Sequence, residues 1–397
     1  MTQLLERAFE LQKAGEYEKS LKLGLEVLQA GKSLHAARLV GLTLLSQNRI
    51  QEAEDYFIGA LQVYKDDPVL MSNLGSLYYN LGRDDEATFW ILKSCFVQKE
   101  VGPIYRYLRS QVYLKNGKWK DGWEDYQYRF AAGESKLMGV SIAEFWQGEW
   151  LGPDKTLMIW GEGGYGDNIQ LVRFVGWAKE RSGAQVKLGV DKALHRLFEK
   201  CLPGTEFAEE LGYYHCPMFH LPKVFDVMPD TLNGKSYLEL PKEVKENENF
   251  IIGLCWEGRQ DKAVLRDRSM SEGNISQLCD IEGCTFISLQ YGVWGFRPSD
   301  WYDTALAIAA CDLVVTIDTG IAHLAGALGV PTFLMLRYQG DFRWLRDRTD
   351  TPWYNSVKLY RQPSLGDWNS VLESVKRSIK EIFCYARTRS RNDHRSG

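Results

Sequence analysis

A pattern that recurs every 33 to 35 residues runs through the first third of the chain. A small residue follows each marker of the pattern after five positions, and the markers are Gly15, Asn48, Gly82 and Gly117. Two copies continue with a large apolar residue and a second small one, Phe57 with Ala60 and Ile91 with Ser94. Small residues let two helices cross closely, and glycine or asparagine tolerates the backbone of a tight turn. The pattern therefore predicts a stack of helix–turn–helix units over residues 1–130.

This repeat resembles the tetratricopeptide repeat, a helical hairpin of about 34 residues that stacks on its neighbours. The best matches are the second and third copies, over residues 35–98. The first copy has Gly24 at the position of the large residue, and the fourth, "GKWKDGWEDYQYRF", is rich in aromatic residues, as is typical of terminal copies that cap a stack. Because such a stack presents a concave groove, we expect the repeats to bind a protein or peptide, and they are also a candidate surface for oligomer formation.

The helical period stops after Phe130, and residues 131–155 are predicted to be a connector that packs through Phe145, Trp146 and Trp150. From residue 156 onward, apolar segments such as "TLMIW" and "DLVVTID" alternate with helical segments. Strands separated by helices form parallel sheets that are covered on both faces. The fold class expected is therefore α/β with an N-terminal all-α repeat region.

Two series of strands and helices, divided near residues 240–249, predict two Rossmann-like halves that face a cleft, at 156–245 and 246–365. A closing helix is expected over 366–386. The basic end of the chain, residues 387–397, is expected to be a disordered tail.

The stretch "GEGGYGDNIQ" places glycines at 161, 163 and 166, the spacing of a dinucleotide-binding turn. The helix after this turn would begin with Asp167, whose carboxylate would repel a phosphate bound at that helix terminus. Asp191, after the next strand, stands where a ribose-binding acid is expected, so an NAD site remains an alternative. A second alternative is that Asp167 only caps its helix.

A better candidate anion site lies in the second half. Asp318, Thr319 and Gly320 follow the buried strand "LVVTI" and directly precede a helix. Such a turn offers free backbone N–H groups and the Thr319 hydroxyl to a diphosphate. His323 lies one turn further on, where it is either a ligand-binding residue or a structural histidine.

The loop after the strand "FIIGLC" carries four cations within ten residues: Arg259, Lys262, Arg266 and Arg268. Two aspartates in the same loop neutralise half of this charge, so a solvated loop is one interpretation. The other is a phosphate clamp, which its position at the carboxyl end of a strand favours. We also assign Trp256 and Gln290 to the candidate donor side.

Four ordered segments carry a further resemblance: "GEGGYGDNIQLVRF", "GLCWEGR…RDRS", "DTGIAHLAGALGVPTFLML" and "FRWLRDRTDTPWYNSVKLYRQ". Together with the repeats, they resemble the tetratricopeptide-repeat glycosyltransferases of the heptosyltransferase-like group, which is related to the ADP-heptose transferases and, more distantly, to the protein O-GlcNAc transferases. The resemblance implies a GT-B fold, a nucleotide-sugar donor held mainly by the second half, and transfer with inversion.

The same resemblance implies roles for individual residues. Asp167 matches the group's proposed general base, and Asp318, Thr319 and Gly320 match the turn that holds the donor diphosphate. Gly163, Gly164, Gly166 and Gln170 would form the acceptor-side loop. Bacterial autotransporter heptosyltransferases of this kind bind iron through clustered cysteines near the C-terminus, whereas here only Cys384 lies there.

No two aspartates in the chain are two positions apart, so the D-x-D motif of metal-dependent glycosyltransferases is absent. We therefore expect neither a metal nor another cofactor, with cationic side chains and helix N–H groups offsetting the diphosphate charge. A nucleotide sugar is the expected co-substrate. An NAD-dependent oxidoreductase and a non-catalytic repeat scaffold are the alternatives.

The net charge of −4 gives the protein no overall basic field, which disfavours nucleic-acid binding, although modified DNA stays an alternative to a protein or glycan acceptor. The start "MTQLLERAFELQKAG" lacks the apolar region of a signal peptide, and no apolar run reaches about 18 residues, so no membrane span is expected. The eight cysteines are scattered without a CxxC pair, which is typical of reduced thiols in a cytoplasmic protein.

Overall fold

The computed structural model describes residues 2–136, 145–208, 210, 213–240, 249–258 and 268–393, with side chains of the last helix described as far as residue 383. The chain divides into two compact units, Met1–Val112 and Tyr113–Gly397, and the division falls within a helix. Each unit is described in turn.

The first unit confirms the predicted helical repeats. Its helices, the last of which continues into the second unit, are α1 (Thr2–Lys13), α2 (Tyr17–Ala30), α3 (Leu34–Ser46), α4 (Ile50–Val63), α5 (Pro68–Asn80), α6 (Asp84–Phe96) and α7 (Pro103–Lys115). The marker residues Gly15, Asn48 and Gly82 have φ angles of 79°, 57° and 71°, so the turns between paired helices need the left-handed conformation that these residue types tolerate.

The pairing of small and large residues also has the expected physical basis. A methyl group added at Gly41 would lie 2.2 Å from Cε1 of Phe57, and one added at Gly75 would lie 2.7 Å from Cγ1 of Ile91. Because both distances are far below van der Waals contact, the large side chain of one helix occupies the space that the glycine of its partner leaves open.

The aromatic fourth repeat contributes its second helix, α8 (Trp119–Tyr126), to the second unit. Trp119 and Trp123 are fully buried there. The ring centroid of Trp119 lies 5.2 Å from that of Trp353, and the centroid of Trp123 lies 6.0 Å from that of Phe342. The aromatic residues of this copy are therefore explained by packing against the α/β part.

Part of the predicted connector, residues 137–144, lies outside the described residues. Phe145 and Trp146 are buried, as expected. Trp150 differs from the expectation, because it is 68% exposed, although one edge of its ring lies over Gly183.

The first half of the α/β part is a sheet of four parallel strands in the order β3-β2-β1-β4. Its elements are β1 (Thr156–Trp160), α9 (Tyr165–Leu171), α10 (Val175–Ser182), β2 (Gln185–Gly189), α11 (His195–Cys201), β3 (Glu206–Phe207), β4 (Tyr214–Pro217) and α12 (Leu221–Val224). This is the strand order of a Rossmann half. Strands β2 and β3 are added on one side of β1, and β4 is added on the other side, parallel to the rest.

The second half is a sheet of five parallel strands in the order β6-β5-β7-β8-β9. Its elements are β5 (Phe250–Cys255), α13 (Glu272–Ile275), β6 (Cys284–Ser288), α14 (Trp301–Ala309), β7 (Leu313–Ile317), α15 (Gly320–Leu328), β8 (Thr332–Leu336), β9 (Val357–Arg361) and α16 (Trp368–Asp393). In such sheets, ligands bind at the carboxyl ends of the strands beside the switch in strand order, which here lies between β5 and β7.

The fold class expected from the sequence, helical repeats followed by two parallel-sheet halves, is thus confirmed. The closing helix extends further than expected: α16 ends at Asp393, so most of the predicted disordered tail is helical, and residues 394–397 are not described. The predicted division near residues 240–249 falls largely outside the described residues.

Candidate functional site

The glycine loop after β1 positions Asp167. Helix α9 begins at Tyr165 with Gly164 as its N-cap, so Asp167 is its third residue and not its first as the sequence suggested. The Gly164 N–H donates a hydrogen bond of 2.6 Å to Oδ2 of Asp167, and Gly163 has a φ of 74°. Asp167 therefore does cap its helix, while its second carboxylate oxygen points away from the cap.

This contact bears on the NAD alternative. A pyrophosphate at a dinucleotide-binding turn uses the free N–H groups at the start of the helix. Here the Gly164 N–H is already bound by a carboxylate, which would also repel the phosphate. Asp191, the candidate ribose-binding acid, accepts a hydrogen bond of 2.9 Å from the Ala193 N–H and caps a short turn. Both aspartates thus make local caps, which disfavours a dinucleotide in this half.

The second oxygen of Asp167 is bound by Arg343, a residue that the sequence did not single out. Nη2 of Arg343 lies 2.5 Å from Oδ1 of Asp167, Nη1 lies 2.7 Å from Oδ1 of Asp341, and Nε donates to Oε1 of Gln170 at 3.0 Å. The Arg343 side chain is 12% exposed, and its guanidinium carbon lies 4.6 Å from the ring centroid of Phe342. One arginine after β8 thus joins the two carboxylates and an acceptor-side glutamine.

Burial and charge oppose each other at these carboxylates. Burial raises the pKa of Asp167, and Arg343 together with the Gly164 N–H counteracts that rise only in part. At Asp341, burial acts in the same direction, but Arg343 outweighs it and the pKa of Asp341 is lowered. The guanidinium of Arg343 remains protonated beside both carboxylates, since its own pKa is raised.

The turn after β7 forms the centre of the candidate donor side. Thr319 is the N-cap of α15 and makes no side-chain cap hydrogen bond, so its hydroxyl is not used to close the helix. The hydroxyl lies 3.4 Å from that of Thr316 and 3.8 Å from Sγ of Cys255. Burial raises the pKa of Asp318, and the nearby Asp341 carboxylate raises it further.

Two further predicted donor-side residues lie beside this turn. Nη1 of Arg268 donates to the Asp318 carbonyl oxygen at 3.0 Å. Oε1 of Gln290 accepts from the Glu257 N–H at 3.1 Å and from Sγ of Cys255 at 3.4 Å. The structure therefore brings Arg268, Gln290 and the turn together at the carboxyl ends of β5, β6 and β7. Arg259 and Lys262 lie outside the described residues.

Two of the predicted donor-side residues lie in the protein core. Trp256 is 3% exposed and belongs to the hydrophobic core of the second half. His323 is 5% exposed, its Nδ1 lies 3.0 Å from the Tyr354 hydroxyl, and its ring stacks on Trp344. Burial lowers the pKa of His323 to about 3, so the ring is neutral at physiological pH. These contacts favour the structural alternative for His323, and Trp256 packs in the core of the second half.

The two halves meet at Gly166. A methyl group added there would lie 2.8 Å from Cδ2 of His323 and 3.1 Å from Cα of Gly320, so α9 and α15 pack with almost no space between them. Asp167 directly follows Gly166, and Thr319 directly precedes Gly320. The candidate base and the candidate diphosphate turn therefore lie at the same junction between the halves.

Among the described residues, no group of three or more histidine, cysteine, aspartate or glutamate side chains is arranged to hold a metal ion. In the same part of the chain, none of the helices is both long enough and apolar enough to cross a membrane.

In a comparison with known protein families, residues 33–66 match the model described as tetratricopeptide repeat. A curated relative, Protein FlbA of Caulobacter vibrioides, is 24% identical in an alignment of 343 residues that covers 70% of this chain and 55% of that protein. The chain thus spans only about half the length of this relative.

Two solved structures are similar at low identity. A glycosyl transferase of family 9 from Veillonella parvula is 11% identical with a TM-score of 0.41, and the match covers 58% of this chain and 91% of that one. A mutant of the Thermobaculum terrenum O-GlcNAc transferase is 11% identical with a TM-score of 0.30, and the match covers 92% of this chain and 58% of that one. The described chain has the order of parts expected from the sequence, with helical repeats followed by two parallel-sheet halves.

Proposed function

We propose that this protein is an inverting glycosyltransferase that moves a sugar from a nucleotide-diphosphate donor to a hydroxyl acceptor without a metal ion. The observation that carries the proposal is the contact of Gly166 with Gly320, which sets Asp167 of the first half beside the Thr319 turn of the second. An inverting transfer needs a base for the acceptor hydroxyl and a separate site for the leaving diphosphate, and the two halves supply one each.

Asp167 is suited to the role of base. Its side chain is 24% exposed, and its two oxygens are held by the Gly164 N–H and by Arg343. A carboxylate oxygen has two lone pairs, so each can still accept a proton from an acceptor hydroxyl. In a single displacement, the acceptor oxygen bonds to the anomeric carbon while the bond from that carbon to the diphosphate oxygen breaks. The hydroxyl proton passes to Asp167, and the nucleoside diphosphate leaves with the bonding electrons.

The leaving diphosphate would be held by the Thr319 turn and by Arg268. The first N–H groups of α15 and the Thr319 hydroxyl are hydrogen-bond donors, and Arg268 adds a positive charge beside the same turn. Preorganised donors of this kind stabilise developing negative charge without a metal. Arg259 and Lys262 are further candidates from the same loop as Arg268.

The acceptor is proposed to be a protein or a glycan, with modified DNA as the alternative. A protein or peptide would lie along the groove of the repeats, whose family is established for residues 33–66. Assembly of copies through the repeats is part of the same proposal.

The proposal is tested with purified protein and a panel of nucleotides. Ligands that bind the folded state raise the melting temperature, so we expect UDP, ADP or GDP to do so and NAD to have no effect. Incubation with the matching nucleotide sugar and candidate acceptors should then give a product whose mass increases by one glycosyl unit. Stabilisation by NAD alone would favour an oxidoreductase, and no stabilisation by any nucleotide would favour a scaffold.

A further inference from the structure

We infer that Arg343 and Asp341 are positioning residues for Asp167, with Arg343 fixing the carboxylate and Asp341 taking up the arginine's charge once Asp167 holds a proton. This inference rests on the proposed function, because it concerns the base of that reaction. It adds two residues from the second half to a step that the sequence assigns to the first half alone.

The geometry carries the inference. The three groups form a line in which Arg343 bonds to Asp167 through Nη2 and to Asp341 through Nη1, at 2.5 and 2.7 Å. The third contact, from Nε to Gln170, prevents the guanidinium from rotating away from either carboxylate. The Asp341 carboxylate is itself fixed relative to Arg343, because its Oδ1 also accepts a hydrogen bond of 3.0 Å from the Arg343 backbone N–H.

The line crosses the junction between the halves. Asp167 and Gln170 lie on α9 of the first half, whereas Asp341 and Arg343 lie in the turn after β8 of the second. An arginine is suited to this position, since its planar fork holds two carboxylates at once, which the single ammonium of a lysine does not match.

Proton transfer shifts the charge along this line. Before transfer, one arginine cation lies between two carboxylates. After Asp167 accepts the proton, its attraction for Arg343 falls, and the cation is left paired with Asp341. Asp341 therefore stabilises the protonated form of Asp167, because without Asp341 the protonation of Asp167 would leave Arg343 with no ionised carboxylate partner. Arg343 acts in the opposite sense, since it favours the ionised form.

Other charged groups surround the pair and stay in place in the variants below. The Glu162 carboxylate of the glycine loop raises the pKa of Asp167. Further titratable or charged groups interact electrostatically with Arg343, with Asp341 or with residues beside them: Tyr126, Arg173, Arg268, Asp318, His323 and Arg337. Because these groups are the same in the wild type and in every variant, changes in the pKa of Asp167 report on Arg343 and Asp341.

The experiment measures the protonation of Asp167 directly and the transfer rate separately. Carboxyl carbon-13 NMR of protein labelled at aspartate, with Asp167→Asn used to assign the signal, gives the pKa of Asp167 with no substrate present. We expect Arg343→Gln to raise that pKa by about one unit or more and Asp341→Asn to lower it. The acidic limb of the pH–rate profile for transfer should move in the same two directions.

Further variants keep the test decisive if Arg343→Gln does not fold. Arg343→Lys keeps the charge but not the three-way contact, so we expect a pKa of Asp167 near that of the wild type and a transfer rate reduced at least tenfold. Arg348→Gln is the matched control, because Arg348 lies in the same loop but donates to both carboxylate oxygens of Asp350, at 2.6 and 2.7 Å. It should change neither measurement.

The outcomes separate the two proposals. If Arg343→Gln and Asp341→Asn shift the pKa of Asp167 in the same direction, or not at all, the inference is wrong whatever the enzyme does. If the pKa shifts are opposite but Asp167→Asn transfers sugar at the normal rate, the proposed base is wrong and the electrostatic line is only structural.

Discussion

Glu162 of the glycine loop forms a buried ion pair with Arg129, the last residue of the short turn that follows α8. Arg129 donates to both carboxylate oxygens of Glu162, at 2.9 and 2.6 Å, and the two side chains are 2% and 5% exposed. Glu162 also accepts hydrogen bonds from the Phe219 N–H and the Ser135 hydroxyl, both at 3.1 Å. The end of the fourth repeat therefore fixes the loop that carries the candidate base.

Arg129→Met should destabilise the second unit strongly. Removing one partner of a buried ion pair leaves an uncompensated charge, at a cost of about 3–5 kcal/mol. Urea unfolding followed by tryptophan fluorescence measures the loss. Arg348→Met is the control, since its exposed pair with Asp350 should contribute less than about 1 kcal/mol. Equal losses in the two variants would mean that the Arg129–Glu162 pair contributes no more than a surface pair.

Gly166→Ala should impair transfer through the junction between the halves. The added methyl group would lie 3.1 Å from backbone Cα of Gly320, which can yield only if α9 and α15 separate slightly. We expect transfer to fall about tenfold to a hundredfold, because small displacements of reacting groups are costly. Steady-state kinetics measures the change.

Gly176→Ala provides the control for that variant. Gly176 lies on α10, where an added methyl group meets nothing within 4 Å. The substitution should leave transfer unchanged and stabilise the helix by up to about 1 kcal/mol. If both alanine variants transfer sugar at the wild-type rate, the close contact at Gly166 has no role in the reaction.

Asp167→Asn keeps the shape of the side chain and an oxygen for the Gly164 N–H, but it removes the proton acceptor. We expect transfer to fall by about two to four orders of magnitude, with donor affinity little changed. Asp191→Asn is the matched control, since Asp191 also caps a turn at the end of a strand in the same half. Normal turnover in Asp167→Asn would reduce Asp167 to a structural cap.

Local patterns in the sequence predicted those parts of the fold and of the site that depend on neighbours along the chain. The turns at Gly15 and Gly82 and the Asp318–Gly320 turn each follow from a few consecutive residues, because strand, turn and helix preferences act over short distances. Long-range partners left no such signal. Arg343 reaches Asp167 across 176 positions, and nothing in "FRWLRDR" tells which of its arginines faces the first half.

Trp256 shows a second limit of sequence patterns. Both core and ligand-binding positions occur at the carboxyl end of a buried strand, and a strand with both faces covered has no polar alternation to separate them. The structure places Trp256 in the core and Gln290 beside the turn, although the sequence had assigned both to the donor side.

Thr319→Ala should weaken binding of a nucleoside diphosphate and leave the bare nucleoside unaffected. The loss should be about 1–3 kcal/mol if the hydroxyl donates to a charged phosphate, and Arg268→Ala should behave in the same way. Isothermal titration calorimetry with both ligands measures the difference, with Thr319→Ser as the control that keeps the hydroxyl. Equal losses for nucleoside and diphosphate would place these residues away from the phosphates.

Deletion of residues 1–98 should separate acceptor recognition from chemistry. The cut falls between α6 and α7, so α7 stays whole and α8 keeps its buried tryptophans. Every residue proposed to bind the donor lies beyond residue 250, so the truncated protein should bind the nucleoside diphosphate with unchanged affinity.

Slow hydrolysis of the nucleotide sugar by water should also persist in the truncated protein, because water does not need the groove of the repeats. Transfer to a macromolecular acceptor should drop at least tenfold, as measured by mass spectrometry of the products. If the truncated protein instead modifies that acceptor at the full rate, the repeats serve assembly and do not select the acceptor.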